Sequence, residues 1–234
     1  MPEEAKTRKT HCQEDLQRRI LSLDLEPGGY LDETQIAEAY GISRPPLREI
    51  LRQLAGEGYV VLQENRGAQV APMTHKTLRN FFVAAPMIYA AMSRLAAEHA
   101  TLAQIAELKD VQMLFRAAIR SGDAVERALM NERFHALIGE MADNEYLKPS
   151  LRRLLIDHTR ISVTLFNAHN RALETERAAA ADQHDQIIAA IEEHDGERAG
   201  ELAIAHWELS RADIESFITP EGMHIPLGRM PDLA

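Results

Sequence analysis

The chain has 234 residues, 45% of them hydrophobic but only 5% aromatic, and a formal net charge of −10. That length holds one large or two small domains with a real core, and the aromatic poverty suits stacked helices better than a β-sandwich. No apolar run approaches the ~18 residues of a membrane span, and the N-terminus Met-Pro-Glu-Glu-Ala-Lys has no apolar signal region. A cytoplasmic location is expected. The single Cys12 excludes an intramolecular disulfide and reads as a small packed side chain on a helix. The acidity is uneven. Residues 1–76 hold ten Lys or Arg against twelve Asp or Glu, and the remainder sixteen against twenty-four. An acidic total therefore does not exclude a local surface for nucleic acid.

In chain order, a first helix is expected from about His11 to Leu23, with Leu16, Ile20 and Leu23 on one face. Pro27-Gly28-Gly29 ends it. A short helix with Ile36 and Ala37 inward stops at Gly41, and a second begins at Ser43, whose hydroxyl can cap its first turn. Pro45 and Pro46 sit in that turn, where a missing N–H costs little. Two helices across a tight Gly-containing turn form a helix-turn-helix unit. The runs Tyr59–Gln63 and Ala68–Ala71, joined by Glu64-Asn65-Arg66-Gly67, predict a hairpin wing. Such a unit places one helix in the major groove and a loop beside the flanking backbone. Arg44, Arg48 and Arg52 recur every four residues and so share one face of that helix. Double-stranded DNA is the expected partner, with Ser43, Arg44, Pro45, Arg48, Arg52, Arg66 and Gly67 as the contacting residues.

Beyond a short linker at residues 73–76, only helices are expected: roughly 76–99, 101–120, 123–142, 145–168, 173–194 and 197–218. Breaks fall at Ser121-Gly122-Asp123, Asp143-Asn144, His169-Asn170 and Asp195-Gly196. The fold class is thus mainly α. Residues 1–72 form a winged helix-turn-helix domain, 77–218 an all-α antiparallel bundle of the kind that builds ligand and metal sites from inward side chains, and 219–234, rich in Pro and Gly, a mobile tail.

Four side chains of the bundle are expected to converge. Asn131 and His135 lie at i and i+4 on one helix face. His184 precedes the turn at Asp195-Gly196 by about twelve residues and His206 follows it by ten. At ~1.5 Å per residue both stand about 15–18 Å from it, at one level of an antiparallel pair. Three imidazoles and a carboxamide suit a borderline divalent ion: zinc first, with nickel and manganese as alternatives. Neutral imidazole is the ligating form, so occupancy should fall as pH drops through about 6–7. Two other readings use the same residues. One is a metal-dependent hydrolase, against which stands the lack of a His-Glu-x-x-His motif, a phosphate loop or a general base. The other is a metal-free site whose histidines bind an organic anion directly.

The run Gly41-Ile42-Ser43-Arg44, Pro46-Leu47-Arg48-Glu49, Leu54, Glu57-Gly58 and Asn65-Arg66-Gly67-Ala68 resembles the winged-helix signature of the GntR family of bacterial transcription regulators. The second half is similar to that family's FCD effector domain, and its six helices resemble the VanR-type subgroup. The resemblance implies no enzyme. It implies a ligand-responsive regulator, a repressor in most relatives, that binds an inverted-repeat operator as a homodimer. It also implies a metal held at Asn131, His135, His184 and His206, and a small carboxylate metabolite as effector. Two departures stand out. Asn131 occupies a place where relatives usually carry Asp, which should weaken metal binding and strengthen attraction for an anion. Ala85 and Tyr89 stand where relatives often carry Arg and Glu ahead of Leu95-Ala96-Ala97. Tyr89, Arg133 and Arg160 are therefore the candidate effector contacts, with Arg152 and Arg153 as further cations. Thr34 stands where relatives often place one more arginine for DNA.

Overall fold

The structure is a computed structural model that describes residues 2–64, 66–167 and 172–218. The expected tail at 219–234, the break at His169-Asn170 and the hairpin residue Asn65 lie outside the described residues. The elements run α1 (Pro2–Leu21), α2 (Glu33–Tyr40), α3 (Arg44–Glu57), β1 (Val60–Gln63), β2 (Gly67–Val70), α4 (His75–His99), α5 (Leu102–Ser121), α6 (Ala124–Met141), α7 (Leu147–Asn167), α8 (Ala172–Glu192) and α9 (Gly196–Ile218). The fold is mainly helical, as expected. No helix among the described residues is long and apolar enough to cross a membrane.

Helix α1 starts nine residues earlier than expected, because Glu3, Glu4, Ala5 and Lys6 are good helix formers behind a proline suited to the first turn. Its buried stripe is Cys12, Leu16 and Ile20, one turn apart each time. Leu23 falls outside the helix with φ +66, and Leu21 takes the core place instead. Helix α2 is capped by Asp32, which accepts from the N–H groups of Thr34 and Gln35, and it ends at Gly41 in the left-handed region. Strands β1 and β2 pair antiparallel, from Val60 against Val70 to Gln63 against Gly67. Leu47, Ile50, Leu51 and Leu54 of α3 close a core with the α1 stripe, Leu31, Ile36, Val60, Ala68 and Val70.

A second core, separate from the first, fills the bundle α4–α9. Helix α4 begins with a reciprocal capping box between Thr74 and Thr77, so helix starts within the expected linker. Thr101 with Gln104 repeats the device at α5, and Asp123 caps α6. Helix α4 lies along α9, while α5, α6 and α7 pack in sequence and α8 returns against α5 and α9. Helix α7 also touches α1 and α3 and so joins the two cores.

Candidate functional site

Ser43 is the N-cap of α3 with extended backbone (φ −79, ψ 165), yet its hydroxyl makes no cap bond, contrary to expectation. The reason is local. A capping oxygen bonds the N–H of the second or third helical residue, and those are Pro45 and Pro46, which have none. The hydroxyl is left exposed together with Arg44, Pro45, Arg48 and Arg52 on one face. Arg44 Nη2 donates to Thr34 Oγ1 at 3.5 Å, and Arg48 faces Glu33 across 3.6 Å. Both contacts are exposed and readily exchanged for a phosphate or a base edge. The exposed Arg66 stands beside Gly67, whose φ of +79 favours glycine. A Cβ at Gly67 would lie 3.2 Å from Glu33 Oε1, so wing and recognition helix meet at the start of α2.

Inside the bundle, His135 of α6, His184 of α8 and His206 of α9 are buried, and each offers a ring nitrogen within 4.8 Å of the others. The second nitrogens are held from behind. His184 Nδ1 donates to Gln112 Oε1 at 3.0 Å. The orientation of that amide is settled by its other end, where Gln112 Nε2 donates to the Ala181 carbonyl (2.7 Å) and to Asp185 Oδ1 (2.9 Å). Arg116 pairs with Asp185 and Asp182 behind it. With Nδ1 carrying the proton, His184 Nε2 presents a lone pair to the cavity. His206 Nδ1 lies 3.1 Å from Gln183 Oε1, and with the proton on that nitrogen its own Nε2 is bare, 3.2 Å from that of His184. Two facing lone pairs at that distance repel unless a cation or a proton lies between them. His135 Nε2 is buried with no hydrogen-bond partner among the described residues. At zinc–nitrogen bonds of about 2.0–2.1 Å, tetrahedral ligand nitrogens stand roughly 3.3 Å apart. The His184–His206 pair already meets that spacing. Asn131 is buried one turn before His135 on the same helix.

Burial disfavours the charged imidazole throughout this cluster. It brings His206 down to about 4 and His158 to about 3, and it holds His135 and His184 well below 6.5, with the neighbouring histidines adding to the effect. Proton competition for the folded site therefore falls at lower pH than the 6–7 of free histidine. The linkage has a definite sign. Between about 6.5 and about 4 the unfolded chain binds protons that the folded chain refuses, so stability is full above that window and is lost as pH falls through it. The melting temperature of metal-free protein should fall steadily from pH 7 to pH 4, and a flat profile by scanning calorimetry would contradict the buried, neutral cluster.

Gln112 is the residue that aims His184. Gln112→Leu should weaken zinc binding about 10–100-fold, the usual cost of losing such an outer partner, in a titration followed by the fluorescence of Trp207, the chain's one tryptophan.

The chain's similarity to known proteins covers both halves. The FCD domain matches residues 84–209, and the description "Bacterial regulatory proteins, gntR family" matches residues 9–70. The chain belongs to the GntR family, in its FCD branch. It is similar to the transcriptional regulator YdhC of Bacillus subtilis, 23% identical over 82% of this chain and 84% of that protein. Against the transcriptional repressor RspR of Escherichia coli the identity is 25% over 82% of each. The solved structure of Escherichia coli McbR/YncC shares the fold, with a TM-score of 0.77 over 91% of this chain and 99% of that one at 19% identity. This GntR-type protein is a DNA-binding transcription regulator and not an enzyme, so the hydrolase reading is set aside. FCD domains often bind metal ions, and the three-histidine cluster is able to hold one.

Of the expected effector contacts, only Tyr89 lies in the cavity wall. Its ring is 4.9 Å from that of His135, and its hydroxyl meets His158 Nδ1 at 2.6 Å. Arg133 is a correction: it is exposed on the outer face of α6 and paired with Glu107 at 2.6 Å, because position 133 is turned away from the Asn131–His135 face. Arg160 is a second correction. It is fully buried, but against the winged domain, where its Nη1 donates to the Ala71 carbonyl at 2.6 Å. Arg152 is exposed and paired with Glu140, and Arg153 with Asp157. Sequence reasoning missed His158, Gln112, Gln183 and Trp207. His158 had a usable signal, since it is flanked by the apolar Leu154, Leu155 and Ile161 of one helix. The glutamines had none, because a glutamine on an amphipathic helix is indistinguishable from a solvated one until α5 meets α8.

Proposed function

We propose that this regulator is a repressor that acts as a two-fold dimer on an inverted-repeat operator, with a divalent ion in its FCD domain and a small carboxylate metabolite as effector. The observation that carries the reading is the convergence of three buried imidazoles, two of them held by glutamine side chains, in a chain whose recognition helix has an exposed cationic face. Zinc is the first choice of ion, with nickel and manganese next, and Asn131 is a weak fourth ligand or holds a water beside the ion. Bound there, the ion supplies positive charge and open positions for a carboxylate, while Tyr89 and Trp207 shape the wall. The repressor sense follows the relative RspR. The six helices α4–α9 support the VanR-type subgroup. The exposed face Ser43, Arg44, Pro45, Arg48 and Arg52, with Arg66 and Gly67 on the wing, contacts DNA. Two such faces one helical turn apart would read two half-sites.

Elemental analysis of protein purified without affinity tag or chelator should give about one first-row metal per chain, and added zinc should raise the melting temperature of stripped protein. Light scattering should give about twice the chain mass of 26.3 kDa. A particle of single-chain mass, on and off DNA, would remove the symmetric-operator reading. Absence of metal with no thermal response to zinc or nickel would favour the metal-free reading, which one observation supports. Gln183 is half-buried, and nothing else among the described residues fixes its amide. Turned over, it would let His206 Nε2 carry the proton and donate to His184 Nε2, closing the site as a hydrogen bond.

A further inference from the structure

Helix α7 faces two ways. Toward the histidine cavity it presents His158, whose Nδ1 meets the Tyr89 hydroxyl and whose ring lies 5.8 Å from that of His135 and 6.2 Å from that of Trp207. Toward the winged domain it presents Arg153, Asp157 and Arg160, spaced by four and three and therefore on one face. These form a ladder. Arg160 Nη1 donates to the Ala71 carbonyl at 2.6 Å, and its Nη2 pairs with Asp157. The other oxygen of Asp157 takes Arg153 Nη1 at 3.0 Å. Arg153 lies over Gly58, where a Cβ would stand 2.2 Å from its Cδ.

The two gripped points belong to one piece of structure. Gly58 closes the recognition helix with φ +95, and Ala71 follows the wing, its N–H donating to the Tyr59 carbonyl at 2.9 Å. Whatever moves the ladder moves recognition helix and wing together. The grip is also an incomplete one. Arg160 is fully buried, burial lowers its pKa against the support of Asp157, and its Nε has no hydrogen-bond partner among the described residues. A buried cation with an unsatisfied donor is a poor way to glue two domains, since an apolar contact of equal size is often at least as stable. It suits a contact that has a second arrangement.

We propose that α7 is a lever that carries the state of the histidine cavity to the winged domain, through the His158–Tyr89 hydrogen bond at one end and the Arg160–Ala71 contact at the other. It rests on reading the histidine cavity as the regulatory site. A ligand acts on DNA affinity only through the difference in its contacts between two α7 positions, and His158 is where that difference enters. The rival route is the covalent link at residues 71–74 into α4, which carries Tyr89.

Hydrogen exchange on the full chain separates the two routes, with zinc as one probe and Tyr89→Phe, which removes the hydroxyl from His158, as another. Each should alter exchange of the amides at Gly58, Tyr59, Val70, Ala71 and Met73. In Arg160→Met both responses should vanish, while zinc affinity, read separately from Trp207 fluorescence, stays within about 2-fold. Should Arg160→Met fail to fold, Arg160→Lys serves: a single ammonium lacks the two separate Nη groups that reach Asp157 and Ala71 at once, so the responses should shrink. Responses that survive undiminished in the folded Arg160 variant assign the coupling to the 71–74 link and overturn the lever. Silence of Tyr89→Phe in the parent chain overturns it as well. If zinc fails to bind, the metal reading falls, and the Tyr89→Phe comparison still decides the lever.

Discussion

Operator affinity should drop roughly 30-fold to 10⁴-fold when Arg44 and Arg48 are both replaced by alanine, at about 1–3 kcal/mol for each arginine that reads a base. The two contributions should be close to additive, because the side chains share no partner: Arg44 leans on Thr34 and Arg48 on Glu33. Their removal should leave the fold intact. Both are exposed, and the core beneath them is built from Leu47, Ile50, Leu51 and Leu54. Arg48→Ala alone should relax preference at one operator position. Arg52→Ala and Arg66→Ala, acting on phosphates, should weaken all sequences alike and flatten the salt dependence. The measurement is a gel-shift or anisotropy titration on an operator selected from random duplexes. Binding of the double variant at the parental level would sink the assignment of this face.

Loss of metal should follow His184→Ala. If the roughly 10–16 kcal/mol of a four-ligand structural zinc site is shared among its ligands, one histidine accounts for about 2.5–4 kcal/mol, on the order of 10²–10³ in affinity. His184 is also stacked on Phe134 at 3.8 Å and bonded to Gln112, so the alanine variant leaves a hole and an unpaired amide as well. His206→Ala, which touches neither the Phe134 stack nor the Gln112 bond, separates the metal loss from that packing cost. Both variants should still bind DNA, because the winged domain has its own core. Asn131→Asp should move the other way, tightening zinc and weakening an anionic effector, since a carboxylate restores one negative charge at the ion. Equal zinc affinity for Asn131→Asp and the parent would place residue 131 outside the ion's field.

The helices were legible in the chain because local rules decide them. Gly41, Gly58 and Gly122 end helices in the left-handed region, Thr74, Thr101 and Asp123 begin them, and apolar residues at three and four set each buried face. The level shared by His184 and His206 was legible for the same reason, as counting residues from a turn measures depth along an antiparallel pair. Local rules also failed where a neighbouring residue overrode them. Ser43 has the right type and backbone for a cap, and the prolines after it left nothing to cap.

The direction each side chain faces across the bundle was decided by the tertiary structure alone. Arg133 and Arg160 look alike as cations in a string of residues. One is outside, on Glu107, and the other is sealed between domains on Ala71, because of the rotation of α6 and α7 about their own axes. His158 and Gln112 became part of the cavity only when α7 turned toward Tyr89 and α5 packed on α8. The sequence by itself determined the winged helix, the six-helix bundle and three histidines at one depth, since backbone periodicity and capping act within a few residues. Which nitrogens bear protons, how far burial lowers their pKa, and which arginine ties the domains depend on partners 22 to 89 residues away, and only packing selects those partners.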